Sequence, residues 1–478
     1  MSRNLLRRSV GWLLLLAMLF SLLTACAGNG PEASEETSQT KSSDTSVDSS
    51  ATEATGATTT SNTTLKKEMP TTTTKKKETT TTTTKKKETT TTAQNPDRPQ
   101  SIRPGLYLEG GVVKLNGEKF YGIGTNYYDL ATRQFYDPMA PNFEKGVKTV
   151  KEYGIPVLRV RFSAWGTEGM NFFWNDRETY WRVMDQAVRL CEKYEIGIIA
   201  VLAWTTNPYI AQGETAGHFL SNRGSEGYQK MLTYMEAVVT RYRNSPAIWG
   251  WEVGNEYNLS TDLDVANGTN YGLTADILAD FYKDVTPRIA KWDGYGRIIN
   301  HGHSQNRHAA WNLYHNNNWN NDTAEQTAEM LKIYDTPQMS VTSIHVYQQK
   351  QNFAGQTVSI SEYLSKLVAI CKGMGKPLYV GEYCDDTVNG ITGADWTAAV
   401  EKAALARFET LHNAIMENDI QLAFIWSQNN DKDVYRDPST YVQGMLKHAK
   451  SANAELVKAG KQKTESYWKQ THDVFYAG

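Results

Sequence analysis

The chain has 478 residues, 40% hydrophobic and 21% charged, with a formal net charge of −2. At roughly 150 residues per domain this suggests about three domains, but residues 27–100 are mostly Thr, Ser, Lys and Glu and cannot bury enough apolar surface to offset the entropy of ordering. Three N-terminal arginines and a linker whose ten basic and ten acidic residues cancel leave the folded part near −2 − 3 = −5. A mildly acidic domain without a basic stripe argues against nucleic acid as the ligand, and leaves uncharged or carbohydrate-like ligands open.

Residues 1–26 open with Arg3, Arg7 and Arg8, continue through the apolar run Trp12 to Leu23 and close on small residues, the layout of a secretory signal. The run is too short to cross a hydrocarbon core that needs about twenty apolar residues. Leu23-Thr24-Ala25-Cys26 resembles the lipobox of bacterial lipoproteins, which implies a lipid on Cys26 and a place on the extracellular face of a bacterial envelope, reached through that anchor alone. An ordinary cleaved signal with an incidental Cys is the alternative. Residues 27–100 read as a disordered tether. Two copies of TTTTKKKETT, at 71–80 and 81–90, are too polar for a packed repeat, and a flexible chain of this length reaches roughly 45–50 Å. Only Cys191, Cys371 and Cys384 follow Cys26, so one disulfide is possible and a disulfide framework is not.

Residues 101–478 alternate short apolar runs with amphipathic stretches. Tyr228, Met231, Leu232, Met235, Val238, Val239 and Tyr242 fall on one helical face, ended by Asn244-Ser245-Pro246. Ile198 to Ala203 and Pro377 to Val380 are continuously apolar, as parallel strands covered on both faces are. Strand ends fall near Asn126, Ser163, Trp204, Glu256, Gly302, Tyr347, Glu382 and Trp426, with room in each interval for a loop, a helix and the next strand. Eight such units predict a (β/α)8 TIM barrel. A doubly wound open sheet is the competitor, but no G-x-G-x-x-G or Walker-type loop follows the first strand.

In a TIM barrel the chemistry collects where strands end. Glu256 closes the fourth unit and Glu382 the seventh, so two carboxyl groups face one mouth. Acetal hydrolysis needs a proton for the leaving oxygen and an anion against the developing oxocarbenium carbon, and two carboxyls in different environments divide that work without a metal or cofactor.

Trp-Glu-Val-Gly-Asn-Glu at 251–256, Ile-His-Val-Tyr at 344–347, Gly-Glu at 381–382, Phe-Ile-Trp at 424–426 and Val-Arg-Phe at 160–162 resemble, in order, motifs of glycoside hydrolase clan A, most closely family 5. The resemblance implies a retaining β-glycosidase acting on β-1,4-mannan or β-1,4-glucan by double displacement, with Glu256 as acid/base and Glu382 as nucleophile. It further implies Asn255 on the sugar 2-hydroxyl, Tyr347 on the nucleophile, His345 on the acid/base side, Arg161 beneath Glu382, with Arg159 its rival, and Trp426 as the floor of the reacting-sugar subsite. Glu252 precedes the strand end and reads as an interior residue. Tyr127, Tyr128, Trp165, Trp204, Trp311 and Trp319 are candidates for stacking on sugar rings, Trp204 first among them. Family 5 cellulases usually carry a His after strand three, where this chain has Trp204-Thr205-Thr206-Asn207, while Asn126-Tyr127-Tyr128 has a mannanase look.

Two other readings stay open. His301 and His303, with His308 and His315 nearby, suit a metal-dependent hydrolase, and a non-catalytic surface carbohydrate-binding barrel would keep the fold without turnover. A monomer is expected.

Overall fold

The computed structural model describes residues 103–135, 143–164, 166–388, 391, 393–427 and 439–475. The expected signal, Cys26, the tether and Trp165 lie outside the described residues. Eight parallel strands form one sheet: β1 Gly122–Asn126, β2 Val157–Arg161, β3 Gly197–Ala203, β4 Ile248–Gly254, β5 Ile298–Asn300, β6 Thr342–Val346, β7 Leu378–Tyr383 and β8 Leu422–Ile425. Hydrogen bonding runs in the order β5-β4-β3-β2-β1-β8-β7-β6. At the remaining seam the Ser340 N–H donates to the Ile299 carbonyl at 2.8 Å, tying the two ends of the sheet into the (β/α)8 barrel.

Every residue of these strands is buried, which is why β3 and the start of β7 read as unbroken apolar runs: one face fills the barrel and the other is covered by helices. The helix Glu226–Tyr242 illustrates the covering layer. Its seven expected core positions, together with Tyr234, are buried, and the Ser225 hydroxyl caps the first turn by accepting from the Tyr228 N–H at 3.1 Å. A small antiparallel sheet, Leu106–Glu109, Val112–Leu115 and Glu118–Lys119, precedes β1. Phe120 after it packs edge-on against Trp249 at 5.2 Å. Cys191, Cys371 and Cys384 are buried free thiols, so the possible disulfide does not form among them.

Two local features aim the strand ends. The β7 ladder slips register between Val380 and Glu382, a bulge that re-aims the side chain following Gly381. The Gly381 Cα lies against the His345 ring, where a Cβ would sit 2.7 Å from Nε2. After β4, Glu256 takes a left-handed conformation (φ 54°), uncommon for a residue with a side chain and held here by its surroundings.

Candidate active site

Arg159 on β2 organises the floor of the mouth. Its Nη1 donates to Glu382 Oε1 at 2.6 Å and to Asn126 Oδ1 at 2.9 Å. Its Nε and Nη2 donate to Glu252 Oε1 at 2.9 and 2.5 Å, and Nη2 also to Asn255 Oδ1 at 2.7 Å. The expectation that Arg161 supports Glu382 is therefore corrected. Arg161 lies two residues further along β2 and donates to the Thr132 hydroxyl at 2.9 Å, with its guanidinium 5.8 Å from the Tyr128 ring. Both arginines share a strand face, but a two-residue rise of roughly 6–7 Å puts them in different layers, and only Arg159 is level with the carboxylates.

Glu382 is almost fully buried. Besides Arg159, it accepts a short hydrogen bond at Oε2 from the Tyr347 hydroxyl. Burial raises the Tyr347 phenol well above its ordinary range, so it stays a donor. Glu256 lies opposite and is more open, its side chain 23% exposed against 4% for Glu382. His345 on β6 stands between them, Nδ1 2.8 Å from Glu256 Oε1 and 3.6 Å from Glu382 Oε2. Burial pushes this imidazole down to about 4, so the ring is neutral at pH 7. We assign its proton to Nδ1, the nitrogen that faces the carboxyls.

One oxygen from each glutamate and a ring nitrogen of His345 lie within 4.8 Å of one another. Like charges this close disfavour each other's ionisation out of water, so the pair favours holding one proton between its two members. Burial raises both carboxyls above their ordinary range. Glu382 is opposed in this by His345, Arg159 and Tyr347. Glu256 is opposed by the Ser304 hydroxyl and, at longer range, Arg159. A guanidinium in direct contact and a phenol donor outweigh a single hydroxyl, so the anion settles on Glu382 and the proton on Glu256.

Ser304 belongs to a latch absent from the sequence reading. The Glu256 N–H donates to the Gly302 carbonyl at 2.7 Å. Asn258 then pairs with the Ser304 peptide both ways, Nδ2 donating to its carbonyl at 3.0 Å and Oδ1 accepting from its N–H at 3.1 Å. Gly302 (φ 72°) permits this approach, since a Cβ there would meet the Gly254 carbonyl at 2.0 Å. Asn126, read as a strand end and in the Asn126-Tyr127-Tyr128 stretch, was given no role of its own. Its amide donates to the Gly381 and Ile425 carbonyls at 2.9 and 3.2 Å, tying β1 to the nucleophile strand and to β8. A buried Asn at a strand end was the available signal.

Asn255 Oδ1 accepts from Arg159, which fixes the orientation of its amide. Trp426 stacks on Tyr128, centroids 5.2 Å apart and 16° from parallel, and both are half-buried. Trp204 is not an open platform. It is 3% exposed, packs over the Arg159 guanidinium at 4.8 Å and lies 6.2 Å from Trp426, so its apolar area is spent on covering the charged floor. Tyr127 is core. Trp311 is half-buried against His315, and Trp319 is 41% exposed.

Among the described residues, His301 and His303 belong to no group of three or more ligand-type side chains at metal-binding spacing. His303 Nε2 is 2.7 Å from the Tyr282 hydroxyl, and His301 Nδ1 accepts from the His303 N–H at 3.1 Å. Burial pushes both imidazoles down, His301 to about 3. Among the described residues, ligand-like spacing occurs at Glu256, His345 and Glu382, where the Arg159 guanidinium already supplies the cation.

The family model for cellulase, glycosyl hydrolase family 5, matches residues 113–432. A probable mannan endo-1,4-beta-mannosidase F of Aspergillus flavus is 27% identical over 187 residues, 34% of this chain and 38% of that protein. Mannan endo-1,4-beta-mannosidase F of Aspergillus fumigatus is 23% identical over 323 residues, 60% and 67% of the two chains. The chain thus spans about two fifths of the first of these relatives. The crystal structure of the endo-1,4-beta-mannanase from Rhizomucor miehei superposes with a TM-score of 0.52 at 16% identity, covering 73% of this chain and 99% of that one, a likeness of fold. With the match spanning every strand from β1 to β8 and both facing glutamates, the chain belongs to glycosyl hydrolase family 5.

Proposed function

We propose that this chain is a retaining β-glycoside hydrolase that cleaves β-1,4-mannan, with β-1,4-glucan as the next candidate, by double displacement. The observation that carries the mechanism is the pair of carboxyls with oxygens within 4.8 Å. Inverting enzymes hold theirs at about 6.5–9.5 Å to seat a water, and retaining ones at about 5–5.5 Å. Glu382, held as an anion by Arg159 and Tyr347, attacks the anomeric carbon while Glu256 protonates the departing oxygen. Formation of the ester removes the Glu382 charge, and with it the repulsion that kept Glu256 protonated. Glu256 can then act as a base on the water that releases the sugar. In this reading the Asn255 amide takes the 2-hydroxyl, and Trp426 with Tyr128 takes the apolar face of the ring; their position beside Glu256 and Glu382 at the strand ends supports it. The relatives named for mannan, together with Trp204 where family 5 cellulases usually place a His, support mannan ahead of glucan.

Proton NMR of the first product from an aryl β-mannobioside tests the chemistry: a β-configured product is expected, and an α product would eliminate double displacement. Rates on soluble mannan, β-glucan, xylan and xyloglucan test the substrate. We also infer that residues 27–100 tether the enzyme to an envelope through a lipid on Cys26, residues 1–25 being the removed part of the signal. Metabolic labelling with a fatty-acid analogue in a bacterial host should mark the wild type and not Cys26→Ser.

A further inference from the structure

Double displacement needs two carboxyls, yet a third, Glu252, stands on β4 with 0% exposure. Burying a carboxylate costs far more than burying an amide of the same shape, and a glutamine here could accept the same hydrogen bonds. The charge itself therefore calls for a reason. The contacts of Glu252 lead to both reacting groups. Arg159 Nε and Nη2 donate to its Oε1 at 2.9 and 2.5 Å, and Nη1 of the same guanidinium donates to Glu382 Oε1 at 2.6 Å. On its other side Glu252 Oε1 lies against Gly302, where a Cβ would sit 2.6 Å away. The Gly302 carbonyl accepts from the Glu256 N–H at 2.7 Å. The Gly302 N–H is held in turn at 2.8 Å by Asn300, the residue opposite Glu252 in the β4–β5 ladder.

Arg159 is also 0% exposed, covered by the Trp204 ring at 4.8 Å, so water screens little of what its two carboxylate partners do to each other. A guanidinium given wholly to Glu382 would make that carboxylate easy to ionise but weakly basic, and so a poor nucleophile. With no guanidinium, burial would favour its protonated form. A cation shared with Glu252 sets Glu382 between these limits. The groups that face Glu382 are Arg159 from β2, His345 and Tyr347 from the end of β6, and Glu256 from the end of β4. Those that face Glu252 are Arg159 and the Tyr379 hydroxyl, 3.4 Å from Oε2. A substitution at 252 leaves all of them in place.

Resting on the glycosidase reading above, we propose that Glu252 is a positioning residue for the reaction: it holds the Arg159 fork level with Glu382 and shares its charge, so that the nucleophile stays both ionised and basic. Glu252→Gln keeps an acceptor for both donors and removes the charge. The test uses an aryl β-mannobioside or β-cellobioside, whichever the wild type cleaves. Glu252→Gln should move the acid limb of kcat/KM about one pH unit lower and reduce kcat about three- to tenfold with KM unchanged. The alkaline limb should move the same way, because Arg159 also favours the charged form of Glu256. Glu252→Asp keeps the charge and shortens the reach, so it should lose kcat with both limbs in place. Unchanged limbs and kcat per folded molecule in Glu252→Gln, or an acid limb moved upward, would overturn the proposal. If Glu252→Gln does not fold, Glu252→Asp decides: a lowered kcat with both limbs in place upholds the role, and a wild-type rate rejects it. Failure of both to fold marks a structural residue and rejects it too. Failure of the wild type to cleave either substrate strikes the glycosidase reading instead. Carbon-13 NMR titration of the Glu256 and Glu382 carboxyls then decides the coupling: lower titration midpoints in Glu252→Gln uphold it, and unchanged midpoints reject it.

Discussion

The barrel buries two arginine–carboxylate networks with opposite bookkeeping. Before β5, Arg297 donates to Asp293 Oδ1 at 2.6 Å and to the Ile248 and Ser245 carbonyls at 2.7 and 3.1 Å. Asp293 also accepts from the Trp251 indole at 2.8 Å and from the Tyr295 N–H at 3.0 Å. One cation meets one anion and the lone pairs are filled. At the other end, Arg159 touches Glu252 and Glu382, with Glu256 a few ångströms on and His345 neutral. Three carboxyls share one guanidinium. A balanced buried pair is a structural joint, whereas an unbalanced one must hold a proton that chemistry can use, and it is kept against stability.

The sharpest break of that comparison is Glu382→Ala. It should cost on the order of 10⁴-fold or more in kcat, yet leave the melting temperature level or raised, because it removes an excess buried charge. A steep loss of thermal stability would put the two networks in the same class. Asp293→Ala should do the reverse, losing ~3–5 kcal/mol of unfolding free energy in urea titrations because it strands the Arg297 charge, with kcat/KM per folded molecule retained. Arg159→Lys keeps the charge but not the fork that reaches two glutamates and two amides. We expect a loss of about 10²-fold in kcat. The acid limb of the pH–rate profile should rise, since a less well paired Glu382 takes up its proton at higher pH.

Ser304→Ala is subtler. The hydroxyl favours the charged form of Glu256, so its removal raises that carboxyl further and moves the alkaline limb to higher pH, with kcat at the optimum changed by less than about tenfold. His345, Tyr347 and Glu382 face the same carboxyl and are untouched by the change, so an acid-limb shift instead would point to Glu382. The smallest effect concerns Asp262, whose oxygens accept from the Ala275 N–H at 3.2 and 3.3 Å and which has the Asp276 and Asp264 carboxylates and the Arg307 guanidinium nearby. Burial pushes it up to about 7. With the folded value above the unfolded one near 3.9, its contribution is present below pH 4 and is lost as pH rises toward 7. Asp262→Asn should therefore gain ~1 kcal/mol at pH 8, after discount for partial exposure, and nothing at pH 4; a gain at both would trace to packing.

Much of this site was legible before folding. Glu256 and Glu382 each follow an apolar run with little freedom to sit anywhere but a strand end, and Asn255, His345, Tyr347 and Trp426 carry that placement with them. Arg159 and Arg161 could not be separated from sequence, because they share a parity and the choice is one of depth. Trp204 looked like a platform because composition records an indole but not what lies over it. Ser304 and Asn258 were invisible for another reason: they act across two loops 46 residues apart.

Composition and periodicity by themselves determined that residues 27–100 lack the apolar surface for a core, and that the remainder alternates apolar runs with amphipathic stretches; the count of eight leaned on the family resemblance. Both are local consequences of which side chains can leave water. Tertiary structure decided what depends on distance: which arginine reaches the nucleophile, which glutamate keeps the proton, and which tryptophan still faces solvent. Charge coupling and burial are set by a few ångströms between residues far apart in the chain, and no local pattern encodes those ångströms.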